Sequence, residues 1–339
     1  MDLKMGHLGD HNVVFPRKKS PNGIILPNYQ RIAFSKFMAS RNDPVRDKIE
    51  AYHDKFGDII ESVLKPDDPY VDWQWSCGYD FFKDRFPKLT YYIASAFNDY
   101  VKFHYDGLTL WHFEPEMQKQ MFSNYPIDEC LISSLRSKLD LGHTKHPLET
   151  SRDGVIPFDN YELVVLQDYA GARFGDLFSG RDMLIKAIHS AQRKKQPTII
   201  RPHPYVVKDI PESVFSRVRD GEWDYVRLAE DGFHPNDLVR NADSVIGTSS
   251  SLLIDAMIYQ KNVTAHCTGD FAGVTDADIE QQNRWLSWFF NDRCINMCST
   301  DVEHEIRKRL DLAWSGKTWI KERGKPKYFD IPKGYGGVL

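Results

Sequence analysis

From about residue 160 onward, short continuous apolar runs alternate with longer amphipathic stretches. Tyr161-Glu162-Leu163-Val164-Val165-Leu166 has the near-continuous hydrophobicity of a strand buried on both faces, as in a parallel sheet. Residues Asp182 to Gln192 follow with Met183, Leu184, Ala187 and Ile188 at helical spacing, which predicts an amphipathic helix. Pro197-Thr198-Ile199-Ile200, Tyr225 to Leu228, Ser244-Val245-Ile246-Gly247 and Asn262-Val263-Thr264-Ala265 read as further strands. A short helix is predicted at Pro235 to Asn241, and another begins with Leu252, Leu253, Ala256 and Met257. Strands alternating with crossovers of this length imply a doubly wound parallel sheet.

The residues before about 155 are less regular. Val13 to Phe15 and Ile24 to Leu26 suggest short strands around a turn-rich segment, Pro16 to Gly23. Ile49, Tyr52, Phe56, Ile59, Ile60 and Val63 recur at helical spacing, so a helix is expected from about Pro44 to Val63. Thr90 to Phe97 and Tyr100 to His104 are apolar and β-rich, with helix or strand left open. Leu141 to Asp159 lacks a period and reads as a linker. The expected division is therefore residues 1–155 as an acceptor-side domain, 156–315 as a ligand-binding domain and 316–339 as a tail.

The chain of 339 residues is long enough for about two domains. A net charge of −4 argues against a dedicated nucleic-acid binder, which needs a clustered basic surface. Arg17-Lys18-Lys19 and Arg193-Lys194-Lys195 read as solvated loop or helix ends. The 5 cysteines include no CxxC pair, so no zinc site or disulfide framework is expected. Nothing at the start reads as a signal peptide, and no apolar run approaches the ~20 residues of a membrane span. The expectation is a reduced, cytoplasmic, soluble protein.

Two loops carry candidate chemistry, and both follow strands, where open parallel sheets bind ligands. In Arg201-Pro202-His203-Pro204 the prolines hold an imidazole beside a guanidinium, which suits a phosphate oxygen. Gly247-Thr248-Ser249-Ser250-Ser251 runs directly into a helix. Serine and threonine are ordinary caps, but four consecutive hydroxyls exceed one cap. A helix start with free N–H groups is an anion site.

Ile199-Ile200-Arg201-Pro202-His203-Pro204 followed by Asn241-Ala242-Asp243-Ser244-Val245-Ile246-Gly247-Thr248-Ser249-Ser250-Ser251 resembles the capsule polysaccharide biosynthesis family, which includes Kdo transferases. Asp255-Ala256-Met257 stands where that family has an acidic helix residue, more commonly Glu. Gly269-Asp270-Phe271-Ala272-Gly273-Val274-Thr275-Asp276 is similar to its glycine- and aromatic-rich segment. Gln167 and Asp168 match a polar position near the donor. The resemblance covers about residues 160 to 315. It implies an α/β, GT-B-like fold of two Rossmann-like domains with a cleft between them. It also implies a glycosyltransferase that takes a CMP-linked acidic sugar, Kdo-like for preference, or a UDP-linked one. Under that implication His203 and Ser249 to Ser251 contact the donor phosphate, with Arg201 and Thr248 also among the donor-binding residues. Gln167, Asp168, Asp255, Asp270, Phe271 and Gly273 face the sugar or nucleotide. The partners are then a nucleotide sugar and a glycan or glycolipid acceptor, with no cofactor and no metal.

Other readings remain open from the residues alone. The same fold acting on modified DNA bases is one, and a non-catalytic nucleotide-sugar-binding protein is another. An acceptor hydroxyl needs a general base, commonly a carboxylate. Asp10, Asp72 and Asp106 are candidates by loop position. Asp67-Asp68 lies in a Pro-flanked loop, and His7 with His11 has i,i+4 spacing; neither pair reads as a metal site. Glu230-Asp231-Gly232 reads as a turn.

Overall fold

The computed structural model describes residues 18–19, 25–26, 59, 62–63, 71–73, 90–94, 97, 99–105, 115–142, 155–167, 179–202, 212–229, 233–248, 250–267, 271–314, 317–322 and 325–330. In chain order the strands are β1 (Lys18–Lys19), β2 (Ile25–Leu26), β3 (Val71–Trp73), β4 (Thr90–Ala94) and β5 (Tyr100–Tyr105). Helices α1 (Pro115–Phe122) and α2 (Glu129–Asp140) precede β6 (Glu162–Val165), α3 (Gly180–Lys194), β7 (Thr198–Arg201), α4 (Glu212–Arg219) and β8 (Val226–Leu228). Then come α5 (Pro235–Asn241), β9 (Ser244–Gly247), α6 (Leu252–Ile258), β10 (Asn262–Ala265), a 3-10 turn at Ala272–Val274 and α7 (Ile279–Trp288). The chain ends with β11 (Cys294–Asn296), α8 (Val302–Trp314), β12 (Lys317–Glu322) and β13 (Lys325–Asp330).

These elements form two compact units. One comprises Met1–Leu108, Phe290–Trp319 and Lys327–Leu339; the other comprises Thr109–Phe289 and Ile320–Pro326. Thus α1 and α2, which precede residue 155, belong with the later strands, and residues 290–319 belong with the N-terminal half.

In the first unit a four-stranded sheet has the order β11-β5-β4-β3. β3 and β4 are parallel, whereas β4–β5 and β5–β11 are antiparallel. The two β-rich segments whose type the sequence left open are therefore paired strands, with Thr90 opposite Tyr105 and Ala94 opposite Val101. Phe97, Tyr100 and Phe290 pack edge-on, with centroids 4.9 Å apart for Tyr100–Phe290 and 5.6 Å for Phe97–Phe290. Lys18 and Lys19, expected in a loop, pair with Leu26 and Ile25 as an antiparallel ladder. Ile59, Ser62 and Val63 are helical, as expected; the rest of the 44–63 helix and the strand at 13–15 lie outside the described residues.

The second unit is built on a five-stranded sheet of order β10-β9-β6-β7-β8 with every pairing parallel. This is the doubly wound α/β architecture that the alternating pattern predicts, and all five of its strands match the expected segments to within one residue at either end. On one face, Val164, Leu166, Ile200 and Val226 bury against Met183, Leu184, Ala187, Ile188 and Ala191 of α3 and Phe215 and Val218 of α4. Ser179 caps α3 by accepting from Asp182 N–H at 3.1 Å, and Lys195 ends it in the left-handed region at φ 52°. The basic triplet Arg193-Lys194-Lys195 is thus a helix end, as its sequence suggests.

Helices α5 and α6 pack on the other face. Every residue of α6 from Leu252 to Ile258 is buried, because the sheet lies on one side and α2, α5 and α7 cover the other. Arg136 of α2 binds the end of α6, its Nε and Nη2 donating to Ile258 O at 3.1 and 2.7 Å. Tyr161 fixes the start of β6 to α5 by donating its hydroxyl to Leu238 O at 2.6 Å. Burial and the neighbouring Asp237 and Asp243 carboxylates hold that phenol protonated well above the ordinary range.

Candidate functional site

In this strand order the sequence leaves β6 toward β7 on one side and reaches β9 on the other. The crossovers from β6 and β9 cover opposite faces, so the carboxyl ends of these neighbouring strands splay around a crevice. Such a crevice is where open α/β sheets bind ligands. Its construction depends on Gly247. A Cβ there would lie 2.6 Å from Val165 Cγ2 and 3.4 Å from Leu253 Cδ2, so glycine lets β6, β9 and α6 pack closely.

Three of the described candidates from the sequence, Gln167, Arg201 and Thr248, lie at this edge. Gln167 is half-buried two residues past the end of β6. Arg201 is the half-buried last residue of β7, and its carbonyl accepts from Leu166 N–H at 2.9 Å, extending the ladder past β6. Thr248 follows β9 directly and is 2% exposed, with a hydroxyl that has no hydrogen-bond partner among the described residues. A buried hydroxyl in that state costs about 1–3 kcal/mol, which a polar ligand group can recover.

The helix start differs from the expectation of free N–H groups. Ser250 Oγ accepts from Leu252 N–H at 3.3 Å, while Ser250 O and Ser251 O accept from Leu253 and Ile254 N–H at 3.1 and 3.0 Å. The serine loop therefore uses the first three donors of α6 itself. Ser251 stands at the cap position in helical geometry without a side-chain cap bond. Among the described residues of the loop, Thr248 is the one whose hydroxyl is buried without a hydrogen-bond partner.

Asp255 is 8% exposed in the first turn of α6. Phe271 is 5% exposed and packs on Trp285 with centroids 5.6 Å apart, so its ring belongs to the core rather than to a stacking platform. Gly273 lies in the 3-10 turn. Asp168, His203, Ser249 and Asp270 lie outside the described residues, as do Asp10, Asp106 and the Glu230-Asp231-Gly232 turn. Asp72, expected in a loop, is the middle residue of β3 opposite Tyr91. Among the described residues no cluster of His, Cys, Asp and Glu is placed to hold a metal ion.

One residue at the same edge escaped the sequence reading. His266 directly follows β10, and its backbone N–H donates to Gly247 O at 2.8 Å. Burial lowers the pKa of its imidazole, the Lys186 ammonium lowers it further, and the Asp276 carboxylate acts in the opposite direction. The rule that singled out the loops after β7 and β9 applies equally after β10, and would have found it.

No family model and no curated protein matches the chain. Among solved structures it is similar to the beta Kdo 2,4 transferase of Thermosulfurimonas dismutans KpsC, at 14% identity and a TM-score of 0.44 over 70% of this chain and 86% of that one. The beta Kdo 2,7 transferase of the same protein gives 14% identity and a TM-score of 0.42, over 72% and 84%. Methanocaldococcus jannaschii UDP-GlcNAc 2-epimerase, solved with UDP-GlcNAc and UDP, gives 12% and 0.28, over 60% and 53%. No described helix is long and apolar enough to cross a membrane.

Proposed function

We propose that this chain is a glycosyltransferase of the capsule-polysaccharide, GT-B type. It moves a sugar from a nucleotide-sugar donor to a glycan or glycolipid acceptor, with the donor phosphate in the crevice between β6 and β9. The observation that carries the reading is the buried Thr248 hydroxyl, without a hydrogen-bond partner among the described residues, at the switch point of a doubly wound sheet. Breaking the bond from sugar to phosphate leaves charge on the nucleotide, which Arg201, the Thr248 hydroxyl and His203 stabilise without a metal. A CMP-linked, Kdo-like sugar is the preferred donor, following the motif resemblance, with UDP-linked sugars next. The acceptor's base is a carboxylate of the N-terminal half, with Asp10, Asp72 and Asp106 as candidates. The cytoplasm is the proposed compartment.

The test is a thermal-shift and calorimetry panel of CMP, UDP, GDP and ADP, each with and without magnesium. A ligand at 100 times its Kd stabilises the fold by about 2.7 kcal/mol, which a melting curve resolves. CMP or UDP is expected to stabilise the chain without magnesium, and His203→Ala to weaken that effect. Stabilisation by ADP with magnesium alone defeats the proposal. Turnover of a nucleotide sugar that depends on duplex DNA moves the acceptor to modified bases.

A further inference from the structure

Helix α3 packs on β6, β7 and β8 through Met183, Leu184, Ala187, Ile188 and Ala191. The opposite stripe, Asp182, Ile185, Lys186, His189 and Arg193, is exposed and runs for about 16 Å along the helix. Ile185, 40% exposed, is the large apolar side chain that this face turns to solvent. Arg193 ends the stripe, and Lys194 and the αL residue Lys195 follow it, all three exposed. This last turn lies at the amino edge of the sheet, because Pro197 leads directly into β7. The connectors at that edge, residues 195–197, 220–225, 242–243 and 259–261, are all described.

The charge on this face is one-sided. Asp182 is the one acid of α3, and its carboxylate accepts from the Ser179 hydroxyl at 2.9 Å. Arg193, Lys194 and Lys195 form no ion pair among the described residues; Lys194 also acts on the buried Glu162 carboxyl. Arg181 and Lys186 add the same sign to the helix but engage other groups of the chain, and are not counted. On the neighbouring α4, Glu212 and Glu222 pair with Arg219 and Arg217 and cancel them. Asp220 and Asp224 of the α4–β8 connector lie at the same edge, so the cationic face is that of α3 and not of the whole edge. A helix end favours a cation through its dipole. Three in succession, with an apolar side chain standing out of the same helix face, exceed that need on a chain of net charge −4.

We propose that the outer face of α3 is a docking surface for an anionic lipid bilayer. Arg193, Lys194 and Lys195 sit among the anionic headgroups, and Ile185 enters the headgroup layer beside them. The apolar face of α3 stays in the core of the unit, so attachment is electrostatic, reversible and weakened by salt. The choice of a bilayer over another polyanion rests on the glycolipid acceptor of the glycosyltransferase reading; the cationic face itself does not.

The experiment is co-sedimentation of the full-length chain with vesicles of pure phosphatidylcholine, or of phosphatidylcholine mixed with phosphatidylglycerol. Binding is expected to the mixed vesicles alone, and to fall as the Debye length shortens from about 30 Å at 0.01 M salt to about 8 Å at 0.15 M. Each Lys or Arg near an anionic surface contributes about a factor of five. Changing Arg193→Gln, Lys194→Gln and Lys195→Gln together is therefore expected to weaken binding about a hundredfold, with the chain still folded by circular dichroism. Ile185→Ser is expected to weaken it several-fold at unchanged charge. Lys119→Gln, Arg240→Gln and Lys308→Gln remove the same charge from exposed positions on α1, α5 and α8, and are expected to have little effect. An equal loss in that control overturns the proposal, as does equal binding to both kinds of vesicle or to neither. If single-stranded RNA binds through the three residues while vesicles do not, the face belongs to nucleic acid and the bilayer is overturned. Vesicle binding as expected, by a chain that no nucleotide stabilises, leaves the docking surface standing and defeats the glycosyltransferase reading.

Discussion

Replacing Gly247 by alanine tests whether the crevice is held by close packing between β6 and β9. The added methyl meets Val165 Cγ2 at 2.6 Å and Leu253 Cδ2 at 3.4 Å. Carbon atoms prefer about 3.5–4.0 Å, so Val165 or the strand must move by about 1 Å. Val165 is β-branched and 1% exposed, and Leu253 is 0% exposed, so any shift of either side chain is made within a packed core. Overpacking of this kind costs about 1–3 kcal/mol. Gly247 is not among the positive-φ glycines, so alanine also gains about 0.4–1 kcal/mol by restricting the unfolded chain. The net expectation for Gly247→Ala is a loss of about 1–2 kcal/mol. Val165→Ala alone removes two buried methyl groups at about 0.8 kcal/mol each, but it also makes room for the new Cβ. The double variant is therefore expected to be more stable than the sum of the single changes predicts, by about 1 kcal/mol. Denaturant unfolding followed by circular dichroism at constant m-value gives these energies. Wild-type stability in Gly247→Ala refutes the argument, as does additivity within about 0.5 kcal/mol in the double-mutant cycle.

Thr248→Val keeps the shape and removes a hydroxyl that has no hydrogen-bond partner among the described residues. It is expected to stabilise the ligand-free chain by about 1 kcal/mol and to weaken nucleotide binding; a drop in melting temperature shows instead that the hydroxyl is partnered. Arg136→Met deletes both hydrogen bonds to Ile258 O and is expected to cost about 1.5–3 kcal/mol in denaturant unfolding. Arg136→Lys, with one compact donor group in place of the fork, should recover only part of that. Glu162 is 7% exposed and burial raises its pKa despite Lys194. The folded state thus binds its proton more tightly than the unfolded state, and the group's contribution to stability declines as pH rises from the unfolded value toward the folded one. Glu162→Gln is accordingly expected to raise the melting temperature at pH 7.5. The difference from wild type should close as pH falls to about 4; a difference constant across that range refutes the cause assigned.

The parallel sheet was legible because burial on both faces leaves its strands as unbroken apolar runs, as in Leu163-Val164-Val165-Leu166. Helix α3 was legible for the complementary reason. Its apolar positions recur with the helical period, and the αL residue Lys195 sits inside a basic triplet that ends the pattern. Helix α2 was passed over, although Asp128 caps it at 2.9 Å through Leu131 N–H and Ile132, Leu135 and Leu139 share its buried face. Four aliphatic positions, these three and Leu131, in a polar stretch give a weak signal on their own; what the helix packs against is decided far along the chain, at α6 and α7.

The sequence by itself determined the strands of the second unit, the end of the sheet at which open parallel sheets bind ligands, and the loops that reach that end. Local periodicity and the direction of a parallel strand are enough for that. Tertiary structure decided the strand order that makes β6 and β9 neighbours and the close approach at Gly247. It also decided how the serine loop spends its hydrogen bonds and that His266 shares an edge with Thr248. Which backbone donors are already taken, and which side chains meet, depends on residues tens of positions apart. No local pattern along the chain records those distances.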